Sequence, residues 1–356
     1  MKRKLRVAVL CGGKSAEHEV SIESAKNIFQ ALNPKKYDIR VIGIDKMGRW
    51  LPIRPSVLLA SREPYKALPL PKEAKAIMES PEEAVGPVDV VFPVLHGPLG
   101  EDGSMQGLLK LMNVPFVGAG VLGSAVGMDK DVMKRLLKDA DIPVAPFITF
   151  SRGQIRAISY EKIKKRLGPI VFIKPANLGS SVGVTKARNK KEFLTGVRRA
   201  FAYDHKILIE KAIKGREIEC SVLGNEHPMV SLPGEIIPRG REFYSYEAKY
   251  LDPVGVGAEL VAPVKLPQRI LKEMRRLARH SFTTLCLEGM ARVDFFLTPQ
   301  GKLIVNEVNT IPGFTKISMY PKLWAASGIG YSELIDRLLK LAIERFKREQ
   351  RLKTSR

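Results

Sequence analysis

Short apolar runs alternate with amphipathic segments over the first 129 residues, a pattern typical of strands alternating with helices. It predicts buried strands over residues 6–10, 39–44 and 88–95, and a helix over 22–32. The third strand leads into a loop rich in glycine and proline, residues 96–103. Open α/β sheets bind ligands at such loops. We therefore predict an α/β fold whose first domain, residues 1–129, is a doubly wound parallel sheet.

The pattern changes after residue 129, where a short helix and a proline-punctuated stretch precede a predicted strand over 170–174. A glycine-rich loop, residues 175–183, separates this strand from another predicted over 184–186. The backbone N–H groups of such a loop can cradle an anion, although a plain flexible hairpin is the alternative. We assign residues 130–217 to a central α+β domain.

Residues 218–356 are predicted to form a third, α+β domain with an amphipathic helix around residues 269–285, a hairpin and a basic C-terminal helix. The segment from Arg239 to Leu260 has no clean periodicity. Long irregular segments inside compact domains are more often functional than accidental. We therefore expect this segment to be a lid.

Composition places few restrictions on function, but it excludes some classes. The 356 residues contain no apolar run near the roughly 20 residues needed to cross a membrane. The apolar stretch that follows the basic N-terminal residues is too short for a signal peptide. Three cysteines without C-x-x-C spacing indicate neither a disulfide framework nor a zinc site, and we expect free, mostly buried thiols. These features predict a cytoplasmic protein without a membrane partner.

The net charge of +22 raises the hypothesis of a nucleic-acid binder. Residues 1–6 contribute +4, however, and residues 345–356 carry six basic side chains against one acidic, so that much of the excess lies at the two ends. The remainder is spread over predicted helix surfaces without an aromatic-studded stripe. We therefore predict solvated basic surfaces and no nucleic-acid partner.

The stretch AVLCGGKSAEHEVS, residues 8–21, superficially resembles a phosphate-binding P-loop. Ala8, inside the first strand, stands where a P-loop needs its first glycine, and Glu17 and Glu19 would face a triphosphate. A carboxylate-lined subsite for a cationic group is the favoured reading. An ordinary connection between a strand and a helix is the alternative.

Residues 290–310 form the strongest candidate site, because two β-rich runs flank Pro299-Gln300-Gly301-Lys302. A two-residue turn at Gln300-Gly301 would pair Asp294 with Glu307 and Arg292 with Asn309, all four on one face. Two neighbouring carboxylates repel unless a cation joins them, and the oxygens of Asp294, Glu307 and Asn309 suit Mg²⁺. An exposed hairpin with ordinary polar residues is the alternative.

Two lysines and a segment with an apolar wall complete a candidate nucleotide site. Lys130 and Lys174 each lie beside a candidate ligand loop, where an ammonium group could neutralise phosphate charge. Glu210 to Ile213 follow an apolar strand and offer polar edge contacts and an apolar wall to a base. Together these residues indicate a nucleotide held between two sheets, with Mg²⁺ on its phosphates.

Seven ordered motifs resemble those of the D-alanine–D-alanine ligases of the ATP-grasp superfamily: GGKSAEHEVS, HGPLGEDGSMQG, MDK, IKPANLGSSVGV, YEAKY, ARVDFF and NEVNTIPGFT. The resemblance covers nearly the whole chain. It implies an ATP-grasp fold in which two α+β domains sandwich the nucleotide. It also implies that ATP phosphorylates one D-alanine, whose acyl phosphate is attacked by the amine of a second, to supply peptidoglycan synthesis. A homodimer is expected on the same ground.

The resemblance also implies roles for individual residues. Glu17 would hold the ammonium of the first D-alanine. His96 would lie near that D-alanine, with satisfied polar packing as the alternative. Phosphates would be bound by Lys130, Lys174, Ser180 and Ser181, and adenine and ribose by Glu210, Lys211, Ile213 and Glu217. Two Mg²⁺ ions, with Mn²⁺ as an alternative, would be held by Asp294, Glu307 and Asn309. Arg292 and the N–H of Gly313 would stabilise the oxyanion, and Lys249 and Ser318 would bind the second carboxylate.

Tyr250 is expected to decide which acceptor is used. In the family, the matching tyrosine links to the positions of Ser180 and Glu17 when the lid closes, which would exclude water from the acyl phosphate. The EAKY sequence here favours an amine acceptor. A ligase for D-lactate or another amino acid in the same fold is the alternative.

Overall fold

The computed structural model describes residues 3–60, 80–239 and 258–353, and three sheets lie within them. The first sheet has the order β3-β2-β1-β4. Its strands are β1 (Leu5–Gly12), β2 (Tyr37–Ile44), β3 (Trp50–Ile53) and β4 (Val90–Pro93). β1 is parallel to β2 and β4, but β3 is antiparallel to β2. The prediction of a parallel sheet is therefore wrong for the edge strand β3. Residues 45–49, which connect β2 to β3, are too few for a crossover between parallel strands.

Helices cover both faces of this sheet. They are α1 (His18–Ala31), α2 (Pro55–Ala60), α3 (Pro81–Val85) and α4 (Ser104–Leu111). Val7 and Val9 of β1 pack towards α1, whereas Ala8 and Leu10 pack towards α3 and α4. Because successive side chains of a strand point to opposite faces, one apolar run serves two cores, and the sheet is doubly wound as predicted.

The second sheet is antiparallel, with the order β5-β8-β6-β7. Two helices precede it, α5 (Val121–Met128) and α6 (Lys130–Asp139). Its strands are β5 (Phe147–Ser151), β6 (Val171–Pro175), β7 (Thr185–Ala187) and β8 (Lys206–Lys211), with α7 (Tyr160–Leu167) and α8 (Lys190–Tyr203) packed on one side. Both predicted strands flanking the glycine-rich loop are found, each shifted by one residue.

The third sheet has the order β12-β11-β9-β13-β14, with β10 paired to β9. Its strands are β9 (Arg216–Gly224), β10 (Met229–Val230), β11 (Gly234–Pro238), β12 (Ala258–Val261), β13 (Gly289–Leu297) and β14 (Leu303–Asn309). The remaining helices are α9 (Gln268–Thr284), α10 (Met319–Ala326) and α11 (Tyr331–Glu349). Apolar residues of α6 and α9 form the core against this sheet.

The three sheets share helices across the predicted domain limits. The predicted limit between residues 217 and 218 falls inside β9, and α6 packs on the third sheet. The C-terminal helix α11 packs beside α1 against the first sheet. The domain limits stay a prediction, as does the lid, most of which lies outside the described residues. Within the described ranges no helix has the length and apolarity to cross a membrane.

Candidate active site

A cavity of about 770 Å³ opens between the second and third sheets and reaches the first sheet at the loop after β1. Sixteen of the residues predicted for the site line it: Glu17, His96, Lys130, Lys174, Ser180, Ser181, Glu210, Lys211, Ile213, Glu217, Arg292, Asp294, Glu307, Asn309, Gly313 and Ser318. Lys249 and Tyr250 lie outside the described residues. Segments about 300 residues apart in sequence therefore meet around one cavity, and the roles of the individual residues stay predictions.

Glu17 occupies the N-cap of α1 and is 8% exposed. The hydroxyl of Ser180, from the glycine-rich loop, donates a hydrogen bond to its Oε1. Ser180 and Ser181 adopt left-handed backbone conformations, with φ of 51° and 59°. Such conformations are costly for serine and are concentrated at functional sites. The loop is thus held against the acidic subsite and is not a plain hairpin extending into solvent.

His96 lies beside this subsite, near the start of the loop that follows β4. Its Nδ1 is 3.0 Å from the carbonyl oxygen of Ile311, and its Nε2 is 3.4 Å from the hydroxyl of Ser24. Burial lowers the pKa of His96, against the opposing effect of Glu17. The imidazole therefore links the first sheet to the loop after β14, in the polar packing that the sequence left open.

Glu101 is a cavity residue that the sequence reasoning missed. Its Oε1 accepts a hydrogen bond of 2.8 Å from the N–H of Gly97. Burial, reinforced by the charge of Glu17, raises the pKa of Glu101 to about 8. The sequence could have identified Glu101 as a candidate, because it lies in the same loop motif as His96. Two acidic groups, Glu17 and Glu101, therefore face this end of the cavity.

Lys130 and Lys174 both line the cavity. The ammonium of Lys130 donates to the carbonyl oxygen of Leu178 at 2.6 Å and is 3.6 Å from Glu307. Lys174 pairs with Glu210 at 2.7 Å. Burial alone would lower the pKa of Lys174, but Glu210 and Glu307 raise it above its ordinary value. Lys130 therefore lies beside Glu307, whereas Lys174 is held as a cation by Glu210 and Glu307.

Glu210 is almost fully buried and contacts two lysines. Besides Lys174, its carboxylate pairs with Lys134 at 2.6 Å. Burial would raise the pKa of Glu210, but the two ammonium groups hold it below its ordinary value. Lys134 was missed because a charged residue on an amphipathic helix is expected at the surface. The carboxylate of Glu210 is thus engaged by lysines, which leaves its backbone for the predicted adenine contact.

The hairpin of β13 and β14 pairs Asp294 with Glu307 and Arg292 with Asn309, as predicted. The predicted two-residue turn is wrong, because Leu297 pairs with Leu303 and the N–H of Thr298 bonds to the carbonyl oxygen of Lys302. The turn comprises residues 299–301, with Gly301 at a φ of 75°, which is typical of three-residue hairpin loops. A β-bulge then shifts the register by one residue and restores the predicted pairs.

Arg292 forms a two-point ion pair with Asp294, with both N···O distances 2.7 Å. Its Nε is also 3.1 Å from Glu219, the neighbour of Asp294 on β9. The amide of Asn309 donates to Asp294 at 3.2 Å. The donor set of two carboxylates and an amide fits Mg²⁺ in chemistry. Among the described residues, however, no three His, Cys, Asp or Glu side chains are arranged as a metal cluster.

The loop after β14 brings Gly313 and Ser318 together. A Cβ atom on residue 313 would lie only 2.7 Å from the hydroxyl of Ser318. That hydroxyl accepts a hydrogen bond of 3.0 Å from the N–H of Thr315. Glycine at position 313 therefore lets backbone and hydroxyl approach each other closely at the cavity wall.

Models of two protein domains match the chain: the D-Ala–D-Ala ligase N-terminus over residues 6–119 and the C-terminus over residues 136–340. A D-alanine–D-alanine ligase of Oceanobacillus iheyensis is 50% identical, with 99% of each chain covered. The ligase structure from Coxiella burnetii has a TM-score of 0.81 at 40% identity and covers 98% of this chain and 97% of that one. A D-Ala:D-Ser ligase of Enterococcus faecalis has a TM-score of 0.80 at 33% identity and covers 96% and 100%.

Proposed function

The chain belongs to the family of D-alanine–D-alanine ligases, which have the ATP-grasp fold, and we propose that it joins two D-alanine molecules by means of ATP. One observation supports this most directly. The Ser180–Glu17 hydrogen bond closes the glycine-rich loop over an acidic subsite, in the same cavity that contains Lys174 and the Asp294–Glu307 pair. An amino acid and a triphosphate can therefore be held side by side.

In the first step, a carboxylate oxygen of D-alanine attacks the γ-phosphorus of ATP, and the bond to the leaving ADP breaks. Glu17 holds the ammonium of that D-alanine, which lies at the end of the cavity nearest the first sheet. Lys130 and Lys174 neutralise the transferring phosphoryl group, and Ser180 and Ser181 place the glycine-rich loop over it. Lys211, Ile213 and Glu217 line the end where the base and ribose are proposed to bind.

In the second step, the amine of another D-alanine attacks the acyl carbon, and phosphate leaves with the electrons of the C–O bond. The nitrogen releases its proton to solvent as the peptide bond forms. Arg292 and the N–H of Gly313 face the oxygen on which negative charge develops. Ser318, with Lys249 outside the described residues, is proposed to hold the incoming carboxylate, and Tyr250 to keep water away.

Two Mg²⁺ ions, or Mn²⁺ in their place, are proposed to bind at Asp294, Glu307 and Asn309. The oxygen donors and the cross-strand closeness of the two carboxylates support this proposal. When bound, the metal would supply positive charge to the phosphate oxygens. In this structure the carboxylate of Asp294 is paired with Arg292, so the metal and Arg292 would share this side chain.

Release of phosphate from ATP tests the proposal. The expected result is release with D-alanine alone and none with L-alanine. Two other acceptors test the alternative that the second substrate is not D-alanine. They are D-lactate and D-serine, and D-serine is included because of the match to a D-Ala:D-Ser ligase. Exclusive formation of D-alanyl-D-lactate or D-alanyl-D-serine at neutral pH, measured by mass spectrometry, would overturn the choice of D-alanine.

The dipeptide is proposed to supply peptidoglycan precursor synthesis in the cytoplasm, where ATP is available. We also propose a homodimer, on the family resemblance alone. Light scattering during gel filtration should give twice the mass of 39.6 kDa. A single-chain mass at micromolar concentration would reject the dimer without affecting the proposed reaction.

A further inference from the structure

Four polar groups form a buried charge cluster beneath the central part of the cavity: Lys134 of α6, Glu210 of β8, Lys174 of β6 and Asn306 of the β14 bulge. Lys134 is fully buried and does not line the cavity, whereas the other three do. Its ammonium is 2.6 Å from Glu210 and donates to the carbonyl oxygen of Asn306 at 2.8 Å. Lys174 takes the second oxygen of Glu210 at 2.7 Å and reaches the side-chain oxygen of Asn306 at 3.3 Å.

Burial lowers the pKa of Lys134, and its 2.6 Å ion pair with Glu210 opposes this effect. With Lys134 protonated, the cluster carries two ammonium groups and one carboxylate, a net charge of +1. Without Lys134, the pair of Lys174 and Glu210 would be neutral. A neutral pair attracts a triphosphate far less than a net cation at the same place, especially away from bulk water. Burying a third charged group is costly unless it is paired, and here the pairing partner is the carboxylate that would otherwise neutralise Lys174.

We propose that Lys134 is a positioning residue for the nucleotide: by neutralising Glu210 it leaves the charge of Lys174 available to the phosphates. This rests on the proposed function in that the anion is the phosphate chain of ATP. Lys134 also fixes the bulge through the carbonyl of Asn306, the residue that precedes Glu307. It acts through these neighbours and touches no substrate itself.

Charge-changing variants separate this role from a purely structural one. Lys134→Met makes the cluster neutral and should weaken ADP binding by roughly tenfold or more, with adenosine binding changed by less than about twofold. Glu210→Gln raises the cluster to +2 and should tighten ADP binding. The double variant, again at +1, should recover most of the lost affinity. Isothermal titration calorimetry with ADP and with adenosine provides these values.

Arg345→Met is the matched control, because it removes another buried cation that does not line the cavity. It should lower the melting temperature without altering ADP affinity. Equal losses for ADP and adenosine in Lys134→Met, without recovery in the double variant, would overturn the inference. Weaker ADP binding by Glu210→Gln would also overturn the inference. This second test remains valid even if Lys134→Met does not fold. Failure of the wild-type protein to bind ADP would instead reject the proposed function.

Discussion

Glu101 shows how one buried carboxyl group connects site chemistry with stability. Its pKa of about 8, raised by burial and by Glu17, means that the folded protein holds a proton which the unfolded chain releases near pH 4.5. Between these values the folded state binds more protons than the unfolded state, so the free energy of unfolding should fall as pH rises towards 8. Below pH 4.5 both states are protonated, and this contribution is constant.

Glu101→Gln should remove that dependence, because the amide cannot ionise yet keeps an oxygen for the N–H of Gly97. We expect the variant to match the wild type in urea midpoint at pH 5 and to exceed it at pH 8. Midpoints at pH 5, 6.5 and 8 measure this. Parallel curves for the two proteins would show that Glu101 is not the responsible group.

Glu307→Gln tests the proposed metal role with little disturbance of the core. The side chain is partly exposed and pairs with Lys130 at 3.6 Å, so the fold should survive its change. Loss of one carboxylate ligand should lower kcat by about 100-fold or more and raise the Mg²⁺ concentration needed for half-maximal rate. Glu333→Gln, in an exposed pair with Arg337, is the control. Near-normal Mg²⁺ dependence in Glu307→Gln would refute the assignment.

Individual site residues could be predicted where the chemistry of a motif is local. Asp294 and Glu307 were found because strand alternation places them on one face. Lys134 was not, because its partner Glu210 comes from a strand more than 70 residues later, and only tertiary packing buries that lysine. Asn306 enters the cavity because it lies at a bulge, which alternation alone cannot foresee.

At the level of elements, the hairpin shows how two errors of register can cancel. A three-residue turn replaces the predicted two, and the bulge in the middle of the paired segment, between Asp294 and Phe295, shifts the register by one. The carboxylate pair was therefore predicted correctly from a wrong turn. Strand positions follow from apolar runs, whereas turn length depends on the backbone conformation of Gly301.

The connection from β1 to α1 depends on Gly12, and a paired substitution measures how much. Gly12 has a φ of 90°, and a Cβ there would lie 2.3 Å from the carbonyl oxygen of Ile44 on β2. Gly48 has a similar φ of 86° but no atom within 4 Å of its Cβ position. Gly48→Ala should cost about 1 kcal/mol from conformation alone, and Gly12→Ala roughly 2–4 kcal/mol.

Thermal melts of both variants test this difference. Because the chain has several cores, we would compare melting temperatures and not extrapolated free energies. Equal shifts for the two substitutions would show that the carbonyl of Ile44 moves away at little cost. The clash would then not explain why glycine stands at the end of β1.

For the molecule as a whole, the sequence predicted some strands of each of the three sheets but not which helices join the sheets. Helix α11 is separated from β1 by more than 300 residues and yet shares its core. Its apolar stripe indicates burial without specifying a partner. The packing of α6 on the third sheet was missed for the same reason, since local patterns do not encode long-range neighbours.

Arg345 fastens α11 to the first domain, and its replacement is the clearest test of this packing. Its buried guanidinium donates to the carbonyl oxygens of Gly118 and Phe116, the latter at 2.8 Å, and lies 4.4 Å from the centre of the Phe116 ring. A lysine keeps the charge but cannot reach both carbonyls in one plane or stack on the ring. Arg345→Lys should therefore destabilise the protein by roughly 2–3 kcal/mol, against less than about 0.5 kcal/mol for Arg337→Lys in an exposed pair. Differential scanning calorimetry and limited proteolysis of the two variants measure this, and an unchanged melting temperature for Arg345→Lys would mean that the apolar contacts of α11 hold it without the arginine.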